Sequence, residues 1–87
     1  MAIEVGKKYY FIVHAYHHIL GEVVSIEGKK DCTLNNVIRI YSCSRGWTDF
    51  FKEGCKNDTN YEVFPDGTEV SGWCLAAPWS HSIPKEK

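Results

Sequence analysis

Residues 7–43, KKYYFIVHAYHHILGEVVSIEGKKDCTLNNVIRIYSC, carry the run of closely spaced strands on which the fold rests. Tyr9 to Ala15 is dense in aromatic and β-branched side chains and follows Gly6-Lys7-Lys8, the composition and boundary of a strand. Ile19 to Ile26 repeats the pattern with Gly21 inside it, a place for a strand to bend or bulge. Gly28-Lys29-Lys30 turns the chain, Cys32-Thr33-Leu34 makes a short third strand, and Asn35-Asn36 is a turn dipeptide tolerant of positive φ. Val37 to Cys43 is then a fourth strand, in which Ile38 and Ile40 alternate with Arg39 and Tyr41. A one-residue slip would exchange the two faces, so the alternation sends the isoleucines inward and Arg39 and Tyr41 outward.

Beyond Cys43 the period changes. Trp47, Phe50 and Phe51 fall at i, i+3 and i+4, which predicts a helix of about two turns, with Ser44 or Thr48 as its cap and Gly54 as its stop. So short a helix holds only if its aromatic face docks on the sheet. Tyr61 to Phe64, the turn Pro65-Asp66-Gly67 and Thr68 to Ala77 read as a closing hairpin, ended by Pro78. Five or six short strands and one brief helix make a mainly β, β-rich α+β domain. The architecture they fit is a small, strongly bent SH3-like barrel or open roll, with an OB-like barrel as the alternative. Residues 1–79 form this single domain, and residues 80–87 are a flexible C-terminal tail.

Composition narrows the function. A chain of 87 residues carries one core, and twelve aromatic rings exceed what that core encloses, so self-association into a homo-oligomer is expected, with Trp79 as an interface anchor. Ten Lys and Arg against eleven Asp and Glu leave a net charge of −1, and two arginines supply a poor row of phosphate contacts, which argues against duplex nucleic acid. One bound nucleotide needs only one or two cations and stays open. The first residues lack the pattern of a signal peptide, and no apolar run approaches a membrane span, so the reading is a cytoplasmic protein without a membrane partner. Cys32, Cys43, Cys55 and Cys74 form no C-x-x-C pair and read as thiols. His14 and His18 would lie ~13 Å apart on one strand, too far for a single ion, so no metal or other cofactor is expected.

Four segments together carry a resemblance. Tyr10-Phe11-Ile12-Val13-His14-Ala15-Tyr16, Leu20-Gly21-Glu22-Val23, Asn36-Val37-Ile38-Arg39-Ile40-Tyr41 and Phe51-Lys52-Glu53-Gly54 resemble a family of small phage and prophage proteins of unassigned function. In that family an Arg-and-aromatic strand follows an Asn turn, a short helix ends in Gly, and a final strand closes the domain. The chain departs from the pattern with His14 where a basic residue is expected and with Ile38 where a second arginine would precede Arg39. The resemblance implies an accessory role, such as countering host immunity.

The residues themselves point to a binding surface rather than a catalyst. Arg39 offers a planar fork to phosphate or carboxylate, and Tyr41, Tyr16 or Trp47 would stack on a base. His14 or His17 would bond to the ligand, and Arg45-Gly46 would bring backbone amides to an anion at the helix N-terminus. Ser80-His81-Ser82 sets its groups side by side rather than facing, so no nucleophile with an oriented base is seen and an enzyme is not expected. Two partners remain. One is a small nucleotide-like immune signal, sequestered in a pocket between subunits; the other is a host defence protein blocked by direct contact through exposed aromatics or a sheet edge.

Overall fold

The computed structural model describes residues 3–14 and 17–84. Its elements are β1 (Lys8–Val13), β2 (His17–Gly28), β3 (Asp31–Cys43), α1 (Trp47–Glu53), β4 (Thr59–Val63), β5 (Thr68–Ser71) and β6 (Leu75–Pro78). All strand pairings are antiparallel, in the order β4-β3-β2-β1-β6, with β5 also paired to β3. The described residues are thus mainly β with one short helix, and of the architectures expected theirs is the open roll: the sheet does not close into a barrel.

Two expected boundaries move. The third and fourth strands are one 13-residue strand, β3, because β2 is long enough to pair along its whole length. Asn36 does take a positive φ of 53°, but inside the ladder rather than at a hairpin. There the register passes from Leu20 opposite Ile38 to Glu22 opposite Asn35, three steps on β3 against two on β2, which is a bulge. Gly21 lies across from it, and a Cβ at that position would stand 2.7 Å from Leu34 Cδ1, so any side chain there would have to displace Leu34.

The closing hairpin is also different. β4 and β5 both run antiparallel to β3 and pair with its C-terminal and N-terminal halves, so they run end to end and do not pair with each other. Pro65 to Gly67 is therefore a link along one edge, with Gly67 at φ 86°. Thr68 to Ala77 is broken by Gly72, at φ 68°, after which β6 crosses to pair with β1. Three residues separate Ser71 from Leu75, a reach of roughly 14 Å, so the β5 and β6 edges of the sheet curl toward each other.

Curling gives the sheet two covered faces. Tyr9, Phe11, Ile19, Val23, Cys32, Leu34, Val37, Val70 and Trp73 fill the inside of the roll, where Trp73 packs on Phe11 at 4.8 Å between ring centres. Tyr10, Leu20, Ile38, Ile40, Phe50 and Trp79 form a second cluster on the outer face, under α1. Two clusters enclose more rings than one core would. Trp79, expected as an exposed anchor, is buried at 4 % exposure with its ring 5.3 Å from Phe50. Residues 80–84 have no regular secondary structure, yet Ile83 packs on the outer cluster and the His81 carbonyl accepts a bond from Lys8 Nζ at 2.6 Å.

Candidate functional site

The alternation of β3 holds, with Ile38 and Ile40 fully buried and Tyr41 49 % exposed, but the outward place expected for Arg39 does not: both faces of the sheet are covered, and Arg39 is half-buried. The face that Arg39 occupies follows from register. Arg39 lies opposite Ile19 and Ile19 opposite Phe11, so Arg39 belongs to the inner face, toward the end where β3 and β4 project. Its guanidinium carbon sits 4.9 Å from the centre of the Tyr41 ring. Among the described residues its buried Nε has no hydrogen-bond partner and no carboxylate forms an ion pair with it. Glu62, directly across on β4, instead accepts the Tyr41 hydroxyl at 3.0 Å, and this bond raises the Tyr41 pKa.

His17 shares the inner face, since it precedes His18, which lies opposite Ile40. His14, in the turn after β1 at φ 62°, sets its ring edge-on to His17 at 5.9 Å. His14, His17, Arg39 and Tyr41 are therefore on one side of the sheet. Tyr16 lies outside the described residues.

Trp47 and Arg45 are elsewhere. Trp47 belongs to the outer face, where its ring stacks on His18 at 3.7 Å and 7°. His18 is buried there, its Nδ1 hydrogen-bonded to the Tyr10 hydroxyl, and burial pushes the Tyr10 pKa up to about 12. The expected set of ligand residues is thus divided by the sheet itself.

Arg45 does not present its fork to a ligand. Its Nε donates to Asp58 Oδ2 at 2.8 Å, Nη1 to Glu53 Oε1 at 2.8 Å and Nη2 to the Gly54 carbonyl at 2.8 Å. The side chain is 18 % exposed and clamps both ends of the 44–59 excursion together. Asp58 also accepts the Ser44 hydroxyl, which draws Ser44 away from the helix; the N-cap is Gly46, at φ 90°, with no side-chain cap bond. The Arg45 bonds hold Asp58 down at about 2 and lower Glu53 as well. Gly54 ends α1 as expected, at φ 83°, its N–H bonded to the Phe50 carbonyl.

Of the helix's three aromatics only Phe50 is fully buried; Trp47 and Phe51 stay 37 % and 38 % exposed. They overhang β1 and β6, and between helix and sheet runs a groove of about 380 Å³ lined by Tyr10, Ile12, Trp47, Thr48, Phe51, Lys52, Leu75 and Ala77. Tyr10 lies opposite Ala77 and Ile12 opposite Leu75, so two cross-strand pairs floor it. Its one charged group is Lys52. The lining comes from three elements far apart in the chain, which is why sequence reading missed it. Its signal was nonetheless present on α1, where Trp47 and Phe51, and Thr48 and Lys52, are each four residues apart and share a flank.

A smaller polar hollow of about 230 Å³ lies beside Gly54, lined by Glu53, Cys55, His81, Ser82 and Pro84. Burial pushes the Cys55 thiol up to about 11, the opposite of an activated nucleophile. Among the described residues no group of three or more His, Cys, Asp or Glu is placed to hold a metal ion, and no helix is long and apolar enough to cross a membrane. No protein-family model, curated protein or solved structure matches the chain.

Proposed function

We propose that this is a non-enzymatic binding protein that acts by direct contact with another protein, through the groove between α1 and the β1–β6 edge. The observation that carries this reading is the groove's chemistry: nearly all its wall is apolar, and Trp47, Phe51 and Leu75 stay 37 to 44 % exposed around it. Large apolar side chains gathered round a concavity are characteristic of interfaces, whereas apolar side chains exposed singly are ordinary protein surface. With the resemblance to phage and prophage proteins, the partner class is a host defence protein that the chain blocks in the host cytoplasm. Capture from host lysate, followed by calorimetry with the purified partner, tests it. Leu75→Asp and Phe51→Asp should each weaken the partner at least tenfold while Arg39→Ala leaves it unchanged. Equal affinity across wild type and both groove variants would end this reading.

A second reading rests on Arg39. A buried guanidinium nitrogen without a bond is costly, by ~1–3 kcal/mol, and an incoming anion that reorders the fork would offset it. In this reading the inner face sequesters a small nucleotide-like signal, with phosphate at Arg39, a base against Tyr41 and a bond from His14 or His17; a second subunit would complete the pocket. Heating the protein after exposure to candidate nucleotides should then release intact ligand from wild type and none from Arg39→Ala. Light scattering that gives a clean monomer would remove the shared pocket.

A further inference from the structure

The groove restricts the conformation of what enters it. Backbone N–H and C=O groups laid against an apolar wall need partners, and an extended segment would have to find them on the neighbouring free edge, β6. That edge offers few. The Trp79 N–H donates to the Lys8 carbonyl at 3.1 Å, and Pro78 is opposite Tyr9, so Lys8 and Trp79 form a bonded pair and Pro78 falls in the next, non-bonded one. The backbone of Pro78 therefore turns outward, where proline has no N–H to give. By the same alternation Leu75 and Ala77 point their N–H groups at β1, which leaves Ala76 as the one residue of β6 with an outward donor. With the carbonyls of Ala76 and Pro78 as its only outward acceptors beside that one donor, the four-residue edge gives an added strand at most a short, incomplete ladder.

An occupant whose backbone bonds are already satisfied meets no such cost, and a helix is that occupant. Its side chains would face aromatic and aliphatic walls with one charge among them, the ammonium of Lys52, which forms no ion pair among the described residues. We propose that the groove receives a helical segment of a partner protein, with large apolar side chains on one face and a carboxylate beside them that pairs with Lys52. This rests on the protein-contact reading above and adds to it the partner's conformation and charge. Glu53, next to Lys52 in sequence, does not substitute for that carboxylate, because it is bound to Arg45 and Lys56.

A random peptide display library selected on the folded protein tests both layers. Enriched peptides should space apolar residues at i, i+3 or i+4 and i+7, carry Asp or Glu on the same flank, and gain helical circular dichroism on binding. Lys52→Glu should weaken these peptides at least tenfold, Lys52→Gln by less, and replacing the acidic residue with lysine should restore affinity for Lys52→Glu alone. Peptides that are lost on Leu75→Asp, yet show no acidic preference or bind without gaining helix, would overturn the proposal and leave the groove as a contact site. Peptides indifferent to Leu75→Asp and Phe51→Asp, or no enrichment at all, would overturn the groove reading and this proposal with it. Circular dichroism of each variant alone confirms that it is folded.

Discussion

Arg39 shows what a single buried atom implies. Its register puts it on the inner face, while among the described residues its buried Nε meets no acceptor, so that one nitrogen opposes folding even as the backbone ladder supports it. Arg39→Met keeps an unbranched apolar stem and removes the unbonded nitrogen. Urea denaturation should show stability unchanged or raised by up to ~1 kcal/mol, because replacing a buried, unbonded polar atom with an apolar group of similar shape is neutral or favourable. A loss above ~1 kcal/mol would mean that the rest of the guanidinium is bonded and that Arg39 is a structural residue. Gly21 poses the opposite case. With Leu34 Cδ1 2.7 Å from where a Cβ would stand, and Leu34 fully buried, Gly21→Ala must push on the inner core. It should cost ~1–3 kcal/mol, the usual penalty of overpacking. An alanine variant as stable as wild type would show that the bulge across from Gly21 can slide.

At the scale of elements, α1 illustrates how a helix too short to persist alone is retained. Seven residues make under two turns, below the length at which helices hold in water. Phe50 anchors it in the outer cluster from within, and the Arg45 clamp fastens the loops at its two ends. The clamp has a pH signature. Asp58, held chiefly by its bond from Arg45, titrates in the fold at about 2 against an ordinary 3.8, so its contribution is complete above pH 3.8 and is lost as pH falls toward 2. Glu53 is lowered for the same reason and adds in the same direction. Thermal melting followed downward through that window should show a falling midpoint. Asp58→Asn should lower the midpoint at neutral pH and flatten the acid limb. An acid limb of wild-type steepness in Asp58→Asn would remove the clamp as its cause.

The whole molecule is held by two clusters on either side of one sheet, and burial in each gives it an alkaline limit. Burial pushes Cys32, inside the roll, and Cys55, at the outer cluster, from 9.0 to about 11, and Tyr10 from 10.0 to about 12. All three are neutral in the fold while the unfolded chain ionises them first. Stability is therefore complete below pH 9.0 and declines as pH rises through about 11 for the thiols and about 12 for the phenol. Cys55→Ala should soften the early part of that decline and leave the Tyr10 part in place, measured as melting temperature against pH. A midpoint independent of pH between those values would show that these groups are hydrated in the fold.

Features that depend on near neighbours are legible in the amino-acid order. Alternation in β3 set Ile38 and Ile40 on one side with Arg39 and Tyr41 on the other, Gly21 marked a bend or bulge, Asn36 marked a positive φ though not the turn expected there, and the spacing of Trp47, Phe50 and Phe51 with Gly54 behind them marked the helix. Each of these is a backbone preference or a periodicity, complete within a few residues. Tertiary structure alone decided that β3 is one strand, since only the length of its partner β2 shows that the ladder continues past Asn36. It decided that β4 and β5 share an edge, that Trp79 is covered, and that Arg45 binds Asp58 and Glu53 rather than a ligand. It also divided the expected site, because a sheet with both faces buried gives no local cue to which face a side chain shares with a residue thirty positions away. The groove followed the same rule: its floor is β1 paired with β6, far apart in the chain, and contacts at that separation are set by the course of the whole sheet.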